Sequence, residues 1–413
     1  MSKIQTLRGM NDIHPKQVKE WSYVEEVIKS VVESYGYEEI RFPVVEKTEL
    51  YTRSNEAADI VTKEMYTFND KSGESISLRP EGTAGCVRAA IDNDLLRTDK
   101  PRLWYSGPMF RYERPQKGRS RQFHQFSAEV FGLSSPEIDA ELIMMSARLW
   151  KELGIFEDLR LEINNLGDEK TRKSYSKALV DFLKKFNSDL DEEAKRKLTE
   201  NPLRILDSKS PAIQEILQDA PLIEDFTNQD SKNYQAILLE ILDEMGIGYK
   251  VNPRLVRGLD YYSHTTFEFI TTRLGSQGTV LGGGRYDGLS EMLGGPSIPA
   301  VGFAAGVDRL VMLTANLEEN STILSILPVE EENFEYCYNL LNIFRENNIK
   351  CEIFKGGNLS KNLKKISKKN RKLVIIVGDE EIQNKQVILK DLSTGEQKKI
   401  QETDILEKIN VSL

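Results

Sequence analysis

Hydrophobic positions near the start of the chain repeat at helical spacing. Between residues 16 and 35 apolar side chains fall three or four residues apart, and Gly36 follows as a stop (Val18, Trp21, Val24, Ile28, Val31, Val32 and Tyr35). This pattern predicts a long amphipathic helix. In the sequence YEEIRFPVVE that follows, Pro43 cannot donate to a sheet ladder. We therefore expect this stretch at a sheet edge or an interface.

Two stretches rich in aromatic and alternating residues, 102–114 and 121–132, lie on either side of the polar sequence RPQKGRSR. They predict two strands joined by a long basic loop. Alternation with a period of two places Gln125 and Glu129 on one face of the second strand and His124 on the other. A carboxylate is costly to bury without a partner, so Glu129 either lines a polar cavity or pairs internally. For Glu129 alone, an internal ion pair is the more frequent outcome.

The rest of the chain changes pattern twice. Residues 168–245 are mainly helical in pattern and predict a helical insertion beside a sheet domain, and six glycines then fall between residues 275 and 288. The short polar stretch 318–322 is expected to be a linker. Over residues 323–413 strands alternate with helices, which predicts a small α/β domain with a largely parallel sheet.

Composition narrows the class of protein. A length of 413 residues predicts two or three domains, and 39% hydrophobic with 29% charged residues excludes collagen-like and polar disordered chains. No apolar stretch approaches the ~20 residues that span a bilayer, and the N-terminus has no apolar signal region, so we expect a cytoplasmic protein without a membrane partner. Cysteine and histidine spacings match neither a disulfide framework nor a metal motif, and we expect no metal site.

The net charge of −9 taken alone argues against a nucleic-acid partner. However, residues 101–130 carry +4 and residues 353–378 carry +8, which leaves −21 on the other 357 residues. Five of the six basic residues in the first island are Arg, which suits bidentate contacts with phosphate or carboxylate. Seven of the eight in the second are Lys, which suits diffuse attraction to a polyanion. For the lysine run alone, a solvated face is the favoured interpretation.

Further segments carry polar groups suited to a zwitterion and a polyphosphate. In SLRPEGT the carboxylate of Glu81 is suited to an ammonium group, although Thr83 could equally begin a helix there. LVRGLDYYSHTTFEF places Arg257 close to two tyrosines, which offer apolar walls and hydroxyls. The dipeptide GK never occurs, and neither do GxSxG, HExxH or CxxC. If a nucleotide binds, arginines rather than a P-loop hold it.

Several of these segments resemble one family. FRYERPQKGRSRQFHQ (110–125) resembles motif 2 of class II aminoacyl-tRNA synthetases, in the form found in histidyl-tRNA synthetases. LVRGLDYYSHTTFE (255–268) is similar to the histidine-specific motif of that family, VGFAAGVDRL (301–310) to motif 3, and the first helix with IRFPVVE to motif 1, a dimer element. VGDEEIQNKQVILKDLSTGEQ resembles the anticodon-binding domain of class IIa enzymes. The resemblance covers essentially the whole chain and is least specific in the helical insertion.

The resemblance implies an α/β (α+β) fold. A class II catalytic domain over residues 1–317, with an antiparallel sheet flanked by helices, would contain the helical insertion at about 168–245. The linker 318–322 and a C-terminal α/β anticodon-binding domain, 323–413, would follow. The implied function is that of a histidine–tRNA ligase, which activates L-histidine with ATP and Mg²⁺ and charges tRNA(His). A homodimer without a tightly bound cofactor is also implied.

The resemblance also implies roles for individual residues. The residues implied to bind histidine are Glu81, Gly82, Thr83, Arg111, Gln125, Glu129, Arg257, Tyr261 and Tyr262. Those implied to bind ATP are Arg111, Glu113, Arg119 and Arg309. Those implied to bind tRNA are Arg114, Gln116, Arg121, Lys364, Lys365, Lys368 and Lys369. We call the last four the lysine face. Glu81, Thr83 and Gln125 would hold the α-ammonium, and Glu129 and Tyr262 would recognise the imidazole. Arg111 and Arg257 are the expected catalytic residues, because the substrate carboxylate is itself the nucleophile and needs positioning and charge stabilisation.

One departure and one alternative accompany the resemblance. Ile366 and Asn370 stand where the family pattern favours a small residue, often glycine. The pattern therefore does not decide where the lysine-rich helix ends. The alternative function is a catalytically silent paralogue that senses histidine as a regulatory subunit of a phosphoribosyltransferase. Such a chain is expected to lose the motif 2 and motif 3 arginines and the C-terminal domain, whereas this sequence retains them.

Overall fold

The computed structural model of the chain describes residues 3–54, 58–98, 100–208, 210–275, 278–314, 323–355 and 357–412. The chain divides into two compact units, residues 1–315 and 316–413. Each unit has its own sheet. The predicted linker 318–322 lies outside the described residues. In the described ranges, no helix combines the length and the apolar character needed to cross a membrane.

The first unit contains both helices and strands. Its helices are α1 (Pro15–Ser34), α2 (Thr48–Ser54), α3 (Thr83–Asp92), α4 (Leu95–Thr98), α5 (Pro136–Glu152), α6 (Glu169–Leu183), α7 (Glu192–Glu200), α8 (Pro211–Leu217), α9 (Gln229–Glu244), α10 (Leu289–Met292) and α11 (Val307–Leu313). Its strands are β1 (Glu38–Glu39), β2 (Val45–Lys47), β3 (Thr67–Asn69), β4 (Ser75–Leu78), β5 (Arg102–Phe110), β6 (Gln122–Phe131), β7 (Arg160–Asn165), β8 (Tyr249–Val251), β9 (Ser263–Ile270), β10 (Thr279–Arg285) and β11 (Ala300–Gly306). A π-helical turn covers Ile60–Glu64, and 3₁₀ turns cover Phe156–Asp158, Lys184–Phe186, Pro202–Asp207 and Ile223–Asp225.

The main sheet of the first unit is antiparallel across its centre. Within the described ranges it has eight strands in the order β1-β5-β6-β11-β10-β9-β7-β8. Pairing is parallel at the two ends, where β1 meets β5 and β7 meets β8. A smaller antiparallel sheet has the order β2-β4-β3. Pro43 follows the edge strand β1, as the sequence predicted.

The predicted pair of strands forms β5 and β6, which are antiparallel and pair from Arg102 with Val130 to Phe110 with Gln122. The first strand is shorter than the predicted 102–114, because the chain turns back at Pro115 and at Gly118, whose φ is 73°. A positive φ suits glycine, which has no Cβ to clash with the backbone.

The alternation predicted for β6 separates two cores. On one face, Phe126, Ala128 and Val130 pack in a cluster that also contains buried residues of α1, α5 and α11. On the other face, Phe131 packs with residues of α3, α6 and α8. In α1, which confirms the predicted first helix, the buried positions are Val24, Ile28, Val31 and Val32. Each such buried aliphatic side chain stabilises the fold by about 1.5–3 kcal/mol.

The helical segment 168–245 divides between the two cores. Helices α6 and α8 bury Leu179, Leu183, Ile213 and Leu217 in the cluster that contains α3. In contrast, α9 packs on α5 and contributes Leu238 to the cluster that contains α1. The last helix of the segment therefore belongs to the helical layer of the main sheet.

The second unit contains β12 (Leu324–Pro328), α12 (Phe334–Glu346), β13 (Cys351–Ile353), α13 (Leu359–Lys368), β14 (Leu373–Val377), α14 (Asp379–Gln383), β15 (Gln386–Asp391), β16 (Gln397–Gln401) and α15 (Ile405–Ser412), with 3₁₀ turns at Glu331–Asn333 and Glu402–Asp404. The strand order is β13-β12-β14-β15-β16. The prediction of a largely parallel sheet was only half right, because β15 and β16 are antiparallel. The short turn between these strands leaves no room for a crossover connection, so they cannot be parallel.

The departure from the family pattern in α13 does not disturb the helix end. Ile366 is fully buried, in a small cluster with residues of β12 and β14. Helix α13 ends at Lys368, and Asn370 follows with a φ of 55°. Asn tolerates this left-handed conformation better than other side chains and therefore replaces glycine there.

Candidate functional site

A cavity of about 400 Å³ lies in the first unit, where β6, β9, β10 and β11 meet the start of α3 and the turn Pro202–Asp207. Ten of the residues that the sequence predicted for the site line it: Glu81, Thr83, Arg111, Glu113, Arg119, Gln125, Arg257, Tyr261, Tyr262 and Arg309. Their segments are distant in sequence, and the fold brings them to one place.

Glu81 lies at the cavity wall and also caps α3. Its carboxylate accepts hydrogen bonds from the backbone N–H of Thr83 at 2.6 Å and of Ala84 at 3.0 Å. Burial raises the pKa of Glu81. Gly82 precedes the helix, and a Cβ there would come within 2.2 Å of the Tyr105 ring. The helix begins at Thr83, which confirms the structural interpretation of this segment. The carboxylate borders the cavity, and its contact with an ammonium group stays a prediction.

Glu129 lies behind the wall of the cavity and is fully buried. Its carboxylate accepts hydrogen bonds from three hydroxyls, those of Thr83 at 2.9 Å, Tyr105 at 3.0 Å and Tyr286 at 2.5 Å. The internal partners are therefore hydroxyls rather than the cation that an ion pair requires. Burial raises the pKa of Glu129 to about 8. Contact between this carboxylate and an imidazole stays a prediction.

Three guanidinium groups meet at one end of the cavity. Arg119 pairs with Glu113, whose other oxygen lies 4.0 Å from Arg111. Arg309 donates to the backbone oxygens of Gly118, at 2.9 Å, and of Thr279. Burial, together with the charges of Arg119 and Arg111, lowers the pKa of Arg309. Asp308 lies near Arg309, and Glu64 lies near Arg111 and Arg119. The three guanidinium groups still present several N–H donors to this part of the cavity, which suits an anion.

Arg257 also lines the cavity and pairs with Glu268. Burial alone lowers the pKa of Arg257, but Glu268 more than offsets this effect and the pKa is raised. Thr279 donates to the second oxygen of Glu268 at 3.0 Å. The guanidinium lies flat on β10, where a Cβ at Gly282 would come within 2.2 Å of it. Sequence reasoning missed Glu268 as a site residue, although it ends the segment that resembles the histidine-specific motif.

The apolar wall of the cavity comes from Tyr261 and Tyr262, both buried, with ring centroids 4.9 Å apart. Burial raises the pKa of Tyr262 to about 12. On β6, the side-chain oxygen of Gln125 is buried and has no hydrogen-bond partner among the described residues. A buried acceptor without a partner favours a ligand that donates a hydrogen bond.

Asp207 is a second residue that sequence reasoning missed. It lies at the end of the turn Pro202–Asp207 and lines the cavity near Arg257 and Glu268. Burial, with the like charge of Glu268, raises the pKa of Asp207 to about 6. No local pattern marks this residue, because the surrounding sequence is that of an ordinary polar helical segment.

The predicted tRNA-binding residues of the first unit lie outside the cavity. Arg114 and Gln116 are exposed on the loop between β5 and β6. Arg121 donates to the backbone oxygen of Glu113 at 3.1 Å and lies 3.7 Å from the centre of the Tyr112 ring. Gln116 also borders a second cavity, shared with α7. The loop therefore presents polar and basic groups next to the helical insertion.

The lysine face lies in the second unit. All four of its side chains are exposed, on α13 and at the residue that follows it. Lys369 pairs with Glu352 at 3.1 Å, and Glu352 also pairs with Arg371 at 2.8 Å. This side of α13 therefore retains an excess of positive charge.

Comparisons with known proteins agree with this arrangement. A model of the family described as Histidyl-tRNA synthetase matches residues 9–310, and a model described as Anticodon binding domain matches residues 324–411. The chain belongs to the histidyl-tRNA synthetase family. The resemblance seen in the sequence is thus confirmed for the family and for the fold.

Solved structures support membership of the histidyl-tRNA synthetase family. The apo histidyl-tRNA synthetase of S. aureus is 35% identical, with a TM-score of 0.82 over 98% of this chain and 99% of that one. A histidyl-tRNA synthetase from Nostoc sp. PCC 7120 is 19% identical, with a TM-score of 0.72 over 99% of this chain and 100% of that one. A protein from Bacillus halodurans C described as an ATP phosphoribosyltransferase regulatory subunit/histidyl-tRNA synthetase is 23% identical, with a TM-score of 0.67 over 92% and 100%. The last two show the fold alone.

Proposed function

We propose that the chain is a histidine–tRNA ligase, which activates L-histidine with ATP and transfers the histidyl group to tRNA(His). One observation carries the proposal. The cavity is lined by four arginines (Arg111, Arg119, Arg257 and Arg309), five carboxylates (Glu81, Glu113, Asp207, Glu268 and Asp308), the amide of Gln125 and two tyrosines. This set suits an amino acid and a polyphosphate held side by side.

In the first step a carboxylate oxygen of histidine attacks the α-phosphorus of ATP, and the bond to pyrophosphate breaks. No side-chain nucleophile is needed, so the work of the protein is alignment and charge stabilisation. Glu81 and Gln125 would accept hydrogen bonds from the α-ammonium group. Arg257 would contact the carboxylate or the α-phosphate, because a guanidinium has five N–H donors and Glu268 occupies only part of the fork.

The phosphates of ATP would lie among Arg111, Arg119 and Arg309, whose guanidinium groups line one part of the cavity. The residues that the structure describes contain no cluster of His, Cys, Asp or Glu suited to hold a metal ion. We therefore propose that Mg²⁺ enters with ATP, bound mainly by its phosphates, which is the usual mode for this ion.

In the second step the 3′-hydroxyl of the terminal adenosine attacks the carbonyl carbon of histidyl-adenylate. The new ester bond forms as the bond to AMP breaks, and the hydroxyl proton is released. Arg114, Gln116 and Arg121 would meet the acceptor end of the tRNA. The lysine face, in a unit that matches an anticodon-binding domain, would contact another part of the tRNA.

A homodimer, formed through α1 and the following segment, and a cytoplasmic location belong to the same proposal. Their support is the resemblance of this region to motif 1 and the membership of the family. Both can be tested directly by the mass of the protein in solution and by cell fractionation.

A catalytically silent regulatory subunit that senses histidine is the second candidate. One protein of related fold is described as an ATP phosphoribosyltransferase regulatory subunit/histidyl-tRNA synthetase. The three arginines at the phosphate end of the cavity favour the enzyme over this candidate. A protein that only senses histidine does not need a second anion site for the phosphates of ATP. Adenylate formation does need one.

Exchange of pyrophosphate into ATP, measured with each of the amino acids, tests the proposal. We expect exchange with histidine, and a loss of at least about 100-fold after Arg257→Ala or Arg309→Ala, the scale of removing one preorganised donor. Arg160→Ala is the matched control, because Arg160 is exposed at the start of β7 and lies outside the cavity. A folded protein that binds histidine but shows no exchange would refute the enzyme and support the histidine-sensing subunit.

A further inference from the structure

The segment that carries Arg257, Tyr261 and Tyr262 has no regular secondary structure of its own. It runs between β8 and β9. Residues in such a segment are not held by a ladder of backbone hydrogen bonds, so their position depends on contacts from neighbouring elements. Arg257 is expected at the carboxylate of histidine and Tyr262 at its imidazole, so both ends of the predicted histidine site depend on this segment. The contacts that hold the segment in place are therefore important for activity.

The helical insertion supplies such contacts at residues 201–204. Arg204 donates from Nε and Nη2 to one oxygen of Asp260, at 3.2 and 3.0 Å, and from Nη2 to the backbone oxygen of Gly258 at 2.6 Å. Asn201 donates to the same Asp260 oxygen at 2.5 Å. Arg204 is 11% exposed and Asp260 24% exposed, which makes this pair stronger than a surface ion pair. We call these contacts the 204–260 clamp.

The next residues of the same turn continue toward the site. Ile205 and Leu206 are buried in the cluster that contains Tyr261 and Tyr262. Asp207 then lines the cavity itself. One turn of six residues, Pro202–Asp207, therefore contacts the backbone beside Arg257, packs in the core of the tyrosines and contributes a carboxylate to the cavity.

We propose that Arg204 and Asp260 are positioning residues for histidine, which couple the helical insertion to the histidine-binding segment 257–262. The proposal rests on the proposed function, and it assigns to the insertion a part in amino-acid binding. Displacement of the insertion would move Arg257 and the two tyrosines relative to Glu81 and Gln125, which lie at the start of α3 and on β6. The phosphate end of the cavity, built from the β5–β6 loop and α11, would stay in place.

The test compares Arg204→Ala, Asp260→Ala and the double variant with the wild-type protein. Titration calorimetry gives the Kd for histidine, and exchange gives kcat and separate KM values for histidine and ATP. We expect kcat/KM for histidine to fall about 30-fold, within the range that a displacement of roughly 1 Å produces. The KM for ATP should change less than about threefold, because Arg111, Arg119 and Arg309, which we expect to hold most of the phosphate charge, lie outside segment 257–262. The double variant should lose less than the product of the two single losses, since both single changes remove the Arg204–Asp260 pair.

Two further variants separate positioning from folding. Arg196→Ala removes another ion pair between the insertion and the rest of the unit, with Asp59 at 3.2 Å. It should leave kcat/KM for histidine within about threefold, because this pair is partly exposed and lies outside the cavity. Arg204→Lys keeps the positive charge but not the planar guanidinium, so its kcat/KM for histidine should fall less than that of Arg204→Ala. The thermal midpoint of every variant shows whether the fraction of folded protein has changed at the assay temperature.

Three results would overturn the proposal: unchanged histidine affinity after Arg204→Ala, equal losses for histidine and ATP, or losses that multiply in the double variant. Its failure can be distinguished from failure of the proposed function. A wild-type protein that binds histidine without exchange refutes the enzyme, yet the Kd values of the variants still decide whether the clamp positions histidine. A wild-type protein that does not bind histidine refutes both.

Discussion

Gly282→Ala isolates the position of Arg257 without altering its chemistry. The new Cβ would lie 2.2 Å from both terminal nitrogens of Arg257, whereas ordinary contacts begin at 3.4 Å. The guanidinium must therefore move by at least about 1.2 Å. That movement pulls it from Glu268 and from its place over β10. Because the obstructing atoms are the far end of a long side chain, the strand itself can remain folded.

The size of the effect follows from the geometry. A misplacement of about 1 Å of a group that aligns reacting atoms costs on the order of 100-fold in rate, or about 2.7 kcal/mol. We therefore expect kcat for pyrophosphate exchange with histidine to fall about 100-fold, a loss comparable with that of removing one preorganised donor. Exchange is measured at saturating ATP over a range of histidine concentrations, with the thermal midpoint recorded for each variant.

The matched control is Gly288→Ala. The nearest atom to a Cβ at that position is the Met292 methyl carbon at 3.8 Å, an ordinary contact, and Gly288 lies outside the cavity lining. We expect its exchange rate to stay within about twofold of wild type, since a surface substitution of this kind changes little. A normal exchange rate in Gly282→Ala, with the protein folded, would refute the reasoning that Arg257 acts from its place over β10.

Three further predictions concern charge. Neutralising the lysine face should weaken tRNA binding and make its salt dependence shallower, by about 0.9 in the log–log slope for each phosphate that the protein no longer neutralises; unchanged filter binding, or a loss of exchange, would contradict this. Glu268→Gln should lower the exchange rate about tenfold, because the amide keeps the shape but not the charge that holds Arg257; exchange at the wild-type rate would show that Arg257 needs no such partner. The pKa of Glu129 is raised from 4.5 to about 8, so between these values the folded protein keeps a proton that the unfolded chain has lost, and the free energy of unfolding falls as pH rises. The Glu129→Gln variant should therefore show a weaker decline of the thermal midpoint from pH 5 to pH 8 than wild type, and parallel curves would contradict this.

Local patterns predicted much of the fold. The spacing of apolar residues predicted α1, and alternation predicted both strands of the β5–β6 pair and the two faces of β6. These predictions succeed because a helix or strand must bury one side, and the period of the buried side is visible in the sequence. The direction of β15 and β16 was missed, because a βα pattern alone does not show where crossover connections stop.

The burial of individual polar residues could not be predicted in the same way. Glu129 was expected to line a polar cavity or to pair internally, most often with a cation. It has internal partners, but they are three hydroxyls, two of them on tyrosines far away in sequence. Asn370, in place of a glycine, left the end of α13 undecided in the sequence. Its positive φ in the structure shows that Asn adopts the conformation that glycine would have there. In both cases the deciding contact or dihedral is a property of the folded chain.

The sequence by itself determined the family, the order of the elements and which residue types could hold a zwitterion beside a polyphosphate, because motifs and hydrophobic periods are local. Only the tertiary structure decided which side chains share the cavity. Asp207 enters it from the helical insertion, Glu268 holds Arg257 there, and Gly282 leaves the space in which that guanidinium lies. Such contacts join residues at least 11 positions apart, and the packing of helices against a sheet, not any local pattern, sets the distances between them.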